Sequence, residues 1–240
     1  MHVLGIETST RASSVALGTD GVVVASEVLD HGRGHLEFTV PAIRRVCDRA
    51  GIALDRIDAV VVGTGPGLFT GMRVGVTTAK AIAQTLAIPI VPIPSLDALA
   101  YAVRDEADRI CATVDARRGE MFAAFYVRAG TGVERTMPFA TYAPDALAAE
   151  CAERGPMLVA GDGMVTYRDA LAGARGVTLS DRLAPRADDL VAMARLDQAV
   201  PVEQVEPLYV RKSEAEIRWE ERGVTIERPD RVKVPKRAVQ

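Results

Sequence analysis

Twice in this chain a short apolar run ends in a carboxylate, breaks into a polar turn and resumes as a second apolar run. Residues 3–6 lead into Glu7, then Thr8, Ser9 and Thr10, before Val15-Ala16-Leu17. Residues 110–114 lead into Asp115, then Ala116-Arg117-Arg118-Gly119, before the run 121–127. Each copy reads as a strand hairpin. In the first half a third strand follows over 22–29. A helix then carries Leu36, Val40, Ile43, Cys47 and Ala50 at three- and four-residue steps and closes at Gly51. Pro41 either kinks this helix or delays its start. A buried strand over 59–62 enters Gly63-Thr64-Gly65-Pro66-Gly67, and a helix over about 70–86 stops before Ile88-Pro89. A strand over 90–93 precedes a helix capped by Ser95. The second half continues with a helix over 145–154 and a strand over 157–160 that enters Gly161-Asp162-Gly163. Two copies of one strand-hairpin-helix unit predict two similar mixed α/β domains with a cleft between them. Their expected ranges are 1–104 and 105–212, with 213–240 as an appended tail.

Composition narrows the function classes. The 240 residues are 48% hydrophobic and 25% charged, the balance of a globular chain. Aromatics are only 5%, so the core rests on Ala, Val, Ile and Leu. No apolar run approaches the ~20 residues of a membrane span, and no basic-then-apolar leader opens the sequence. The expectation is a cytoplasmic protein without membrane contact. Cys47, Cys111 and Cys151 are too widely spaced for a zinc site and read as free thiols. A formal charge of −3 gives no global attraction for nucleic acid. From Arg211 to Gln240, however, nine Lys/Arg face six Asp/Glu, a net of +3 that leaves −6 on residues 1–210. That stretch reads as a solvated mixed-charge tail; an RNA-touching arm through Arg231, Lys233, Lys236 and Arg237 is the competing reading.

The chemistry-bearing patterns are sparse. Residues 63–75 join a strand to a helix, where amides can hold an anion. Gly71 is nevertheless followed by Met72-Arg73 rather than Lys and Ser/Thr, and Leu68 stands where a dinucleotide fingerprint needs glycine. A tight turn explains the glycines as well as a phosphate cradle does. Gly71, Gly75, Ala79 and Ala83 recur every four residues as a small-residue stripe. Two helical glycines cost ~1 kcal/mol each against Ala and need an offsetting close contact. That contact lies within the chain or on a partner. His31 and His35 flank Gly32-Arg33-Gly34, a poor helix, and read as surface histidines rather than metal ligands. No G-x-S-x-G elbow is present. Glu7 and Asp115 suit a metal–nucleotide, a general base or a turn acceptor equally.

The stretches Ile6-Glu7-Thr8-Ser9-Thr10, Gly63 through Gly75, and Val114-Asp115-Ala116-Arg117-Arg118-Gly119-Glu120 closely resemble the TsaB (YeaZ) family. The likeness returns at Pro207-Leu208-Tyr209-Val210-Arg211. It implies an α/β, two-lobed fold of the actin, sugar-kinase and chaperone-ATPase class, built from duplicated mixed-sheet units. It also implies a part in placing threonylcarbamoyl on the adenosine beside the anticodon of certain transfer RNAs. The expected partners are a catalytic TsaD-type paralogue, a TsaE-type ATPase, tRNA through the complex, and a second copy of the chain.

Against the catalytic paralogue's His-x-x-x-His motif, Ser95 and Leu99 stand where the metal-binding histidines would be. Leucine cannot ligate a metal. The resemblance therefore implies a subunit without catalytic residues or metal that binds and activates the transferase. Glu7, Thr8, Ser9, Thr10, Gly65 and Gly67 become vestigial phosphate turns, with no cofactor required and room only for weak ATP or ADP binding. The partner surface is expected at Leu36, Val40, Ile43, Gly71, Gly75, Ala79 and Ala83, so Gly75→Leu should break the pairing while leaving the fold intact. The alternatives are a kinase-like ATP-dependent enzyme of the same superfamily and a metallo-endopeptidase relative.

Overall fold

Alternation along the first strand assigns the faces of the first sheet. In β1 (His2–Glu7), Leu4 and Ile6 point to one face and Val3 to the other. It pairs antiparallel with β2 (Ser13–Thr19), which pairs with β3 (Val22–Leu29). On its other side β1 runs parallel to β4 (Ala59–Gly63), itself parallel to β5 (Ile90–Ile93). The strand order is β3-β2-β1-β4-β5. These assignments come from a computed structural model that describes residues 1–30 and 34–211.

Helices α1 (His35–Ala50) and α2 (Phe69–Leu86) cover the Leu4 and Ile6 face through Ala42, Ile43, Val46, Val76, Ala79 and Ala83. Gly51 ends α1 in the left-handed region at φ 66°, and Pro41 lies inside the helix without delaying its start. Helix α3 (Ser95–Ala102) turns Ala98 to the opposite face and gives Leu96, Leu99 and Ala100 to the second sheet.

That second sheet repeats the first. Strand β6 (Arg109–Arg117) pairs antiparallel with β7 (Glu120–Ala129), which carries β8 (Gly132–Arg135) and β9 (Ala140–Tyr142). After α4 (Pro144–Arg154), β10 (Met157–Ala160) runs parallel to β6. The short helices α5 (Gly163–Thr166) and α6 (Arg168–Ala172) lead to β11 (Val177–Leu179), parallel to β10. The order β11-β10-β6-β7-β8 matches β5-β4-β1-β2-β3 strand for strand. The sequence echo is therefore a duplication of topology.

The chain then returns. Helix α7 (Ala187–Met193) packs Ala187, Leu190 and Val191 onto the Val3 face of the first sheet. Val200 bridges to Ile90, Val205 joins the core beneath α2, and the Leu208 amide donates to the Thr64 carbonyl. The later part of the range 105–212 thus completes the first sheet. The expected tail at 213–240 lies outside the described residues.

Candidate functional site: two strand-end turns and an outer helix face

Glu7 ends β1 fully buried and is engaged on both oxygens. Its Oε1 accepts the Ser9 amide at 2.7 Å, and Ser95 Oγ donates to Oε2 at 2.7 Å. Ser95 Oγ in turn accepts the Gly65 amide at 3.0 Å. Ser95 therefore does not cap α3 as the sequence suggests; it ties α3 to both turns. Gly63 is required here, because a Cβ would overlap the Glu7 carboxylate. Burial pushes the Glu7 carboxyl above the ordinary value, opposed by its hydrogen bonds from Ser9 and Ser95.

The second turn repeats this pattern. Asp115 Oδ1 accepts the amide two residues on, Arg117, at 2.8 Å, as Glu7 accepts Ser9. The Asp115 amide donates to Asp162 Oδ1 at 2.9 Å, within the glycine turn that follows β10. Burial raises Asp162 to about 6. Asp115 and Asp162 border a cavity of about 370 Å³ together with Thr10, Arg11, Asp30 and Arg182.

Actin-like folds imply a nucleotide between such turns, and here two of the turn amides are already engaged within the chain. The Ser9 and Gly65 amides are taken by Glu7 and Ser95, and the Leu68 amide donates to the Ser9 carbonyl at 2.6 Å. A Cβ on Gly67 would overlap that same carbonyl, so the turn after Glu7 and the Gly63–Gly67 turn close on each other. Around the cavity, Arg182 is paired with Asp189 and Arg186 lies 3.7 Å from Asp30, while Arg11 also lines it. Asp115 and Asp162 add carboxylates to the same lining, with Arg117 Nη1 3.4 Å from Asp115.

The structure separates the expected partner residues into two groups. Gly71, Gly75, Ala79 and Ala83 are all buried and face inward. A Cβ on Gly71 would overlap the Thr8 carbonyl and one on Gly75 the Thr8 hydroxyl, which donates to the Gly71 carbonyl at 2.7 Å. The close contact that offsets two helical glycines is thus within the chain, and these four residues offer no surface. Ile43 is buried but borders the groove between α1 and α2, whereas Leu36 and Val40 are 63% and 56% exposed. Between α1 and α2 lies an apolar groove of about 890 Å³. Val40 and Cys47 line one wall, and Thr77, Thr78, Ala81 and Ile82 the other. Apart from Ile82, the second wall is built of small or weakly apolar residues that apolar spacing does not mark. The four-residue step that marks the inner stripe marks the outer one equally well.

The two positions that the resemblance sets against the paralogue's histidines serve the fold here. Ser95 is spent on Glu7, and Leu99 is buried against the second sheet. Among the described residues no three His, Cys, Asp or Glu side chains cluster as metal ligands. His35 is not a plain surface histidine: its Nδ1 lies 2.6 Å from Ser13 Oγ, and burial lowers its pKa. His31 lies outside the described residues. Cys47, Cys111 and Cys151 are free and buried. Among the described residues no helix is long and apolar enough to cross a membrane.

A family model described as TsaD, tRNA N6-adenosine threonylcarbamoyltransferase, matches residues 24–160. The tRNA threonylcarbamoyladenosine biosynthesis protein TsaB of Escherichia coli is 32% identical, over 90% of this chain and 96% of that protein. A crystal structure from Pseudomonas aeruginosa, of an uncharacterized protein with similarity to peptidase YEAZ, superposes with a TM-score of 0.78. It shares 31% identity and covers 88% of this chain and 99% of that one. The ethanolamine utilization protein EutJ of Carboxydothermus hydrogenoformans, at 10% identity and a TM-score of 0.50, covers 81% of this chain and 90% of its own. That likeness places the duplicated sheets in the actin-like ATPase and sugar-kinase fold class.

Proposed function

Since the chain belongs to the TsaB (YeaZ) family, we propose that it serves tRNA threonylcarbamoyladenosine biosynthesis as a non-catalytic subunit that binds and activates a TsaD-type transferase. The observation that carries this reading is the outer face of α1 and α2. Leu36 and Val40 stand exposed beside the apolar groove lined by Thr77, Thr78, Ala81 and Ile82. An apolar face of this kind marks an interaction surface. The transferase family model spans residues 24–160, so it includes both helices. A paralogue built on the same two helices can present the same face, and the pair then packs as a four-helix layer about a pseudo-twofold axis. A second copy of this chain would use that face when the paralogue is lacking. The TsaE-type ATPase and tRNA join through the complex.

The turns support a structural role rather than catalysis. Glu7 is engaged on both oxygens by internal donors, and by the resemblance Ser95 and Leu99 stand in place of the transferase's metal-binding histidines. A chain so arranged contributes shape to its partner. Val40→Glu tests the reading, because Val40 is exposed and its replacement leaves the core untouched. The expected result is loss of co-purification with the paralogue and of tRNA modification in the reconstituted system, with an unchanged melting temperature. Retained co-elution would reject the face.

A further inference from the structure

Beyond the groove, one surface cluster is built differently from its neighbours. The returning segment is tied down where Lys80 Nζ donates to the Val205 carbonyl at 3.0 Å and the Leu208 amide donates to the Thr64 carbonyl at 2.8 Å. It delivers Tyr209 to the start of α2, with its ring centroid 5.3 Å from that of Phe69. Arg73, one turn further along α2, lays its guanidinium 4.4 Å from the Phe69 centroid and donates Nε to the Tyr209 hydroxyl at 3.2 Å. Phe69 and Tyr209 are 41% and 36% exposed. Arg73 is exposed too, and it has no ion-pair partner among the described residues.

We propose that Phe69, Arg73 and Tyr209 form a preorganised anchor for the partner protein, receiving one of its carboxylate side chains flanked by apolar groups. This rests on the partner-binding reading above and extends it from the groove to the end of α2. Phe69, Arg73, Thr77 and Ala81 follow one another at four-residue steps, and the last two line the groove, so cluster and groove share one stripe. Stacking on Phe69 and the bond to Tyr209 fix the guanidinium before any partner arrives. Its terminal nitrogens then supply the planar fork that a carboxylate matches. Aromatic and arginine side chains held this way dominate interface energetics.

A protein suits this surface better than RNA. Lys80 is committed to Val205, Arg44 lies opposite Asp48, and Arg45 and Arg49 converge on Glu27. A phosphate backbone draws on several cations, and this stripe presents Arg73 alone among its described residues.

The test measures the affinity of the full-length chain for the paralogue without RNA, and then tRNA retention by the assembled complex. Arg73→Glu should raise the pairwise Kd about tenfold or more with no change in melting temperature. Arg73→Lys, which keeps the charge but loses the fork, should fall between. If Arg73→Glu leaves Kd unchanged while Val40→Glu abolishes pairing, the anchor is wrong and the groove stands. If neither variant weakens pairing, the groove reading and the anchor fall together. Lost tRNA retention with an unaltered pairwise Kd would overturn the anchor in favour of an RNA contact.

Discussion

Glu7 and Asp115 occupy equivalent strand ends, and each accepts the amide two residues on, yet their surroundings divide their roles. Glu7 is closed in by Gly63 and Ser95, while Asp115 hands its amide to Asp162 beside an open cavity. Asp162 is the group whose titration is most visible. Its folded value of about 6, raised first by burial, lies above the ordinary 3.8. Between roughly pH 4 and 6 the folded chain therefore binds more protons than the unfolded one, and stability falls as pH rises through that window. The difference is on the order of 2–3 kcal/mol. Asp162→Asn keeps an acceptor for the Asp115 amide and removes the charge. Urea titrations should find the variant more stable than the parent at pH 7 and little changed at pH 4; equal midpoints at both pH values would contradict this. Gly75 makes the opposite point. The sequence suggests that enlarging it spares the fold, but the Thr8 hydroxyl already fills the space. Gly75→Ala should cost about 1–3 kcal/mol in urea unfolding, and Gly75→Leu should fail to fold.

At the scale of elements, the hairpins, crossover strands and first three helices were legible because apolar spacing and turn residues report local geometry directly. Gly51 marks the end of α1, and Ile88-Pro89 the limit of α2. What spacing cannot report is which way a stripe faces. The stripes Gly71-Gly75-Ala79-Ala83 and Phe69-Arg73-Thr77-Ala81 share one period on one helix, and only the tertiary position of Thr8 decides that the first is inside. Ser95 misled for a related reason. At a helix start a serine reads as a cap, but a buried carboxylate from β1 competes for its hydroxyl and takes it. The phosphate turns were legible as turns. Their closure was not, because it depends on the Ser9 carbonyl meeting Gly67 and Leu68 across more than fifty residues of chain.

Across the whole molecule, the duplication invites the view that each half folds by itself, and the returning segment argues against it. The Val3, Ala16, Val61 and Val91 face of the first sheet is covered by Ala187, Leu190 and Val191 of α7. Gly5 and Gly18 let that helix approach so closely that a Cβ on either would overlap α7. The Ala187 amide donates to the buried Ser14 hydroxyl at 2.8 Å, and Val205 plugs the opposite side beneath α2. A fragment of residues 1–104 would leave these valines and the Ser14 hydroxyl uncovered, with only α1, α2 and α3 to bury its apolar surface. Such a fragment should keep secondary structure by far-ultraviolet circular dichroism but bind a hydrophobic dye and melt without a cooperative transition. Joining residues 187–210 to it through a flexible linker should restore cooperativity. A sharp melt in residues 1–104 alone would mean that α7 is an ornament on a self-sufficient half. Failure of the added segment to help would mean that the second sheet, through Leu96 and Leu99 of α3, is the larger support.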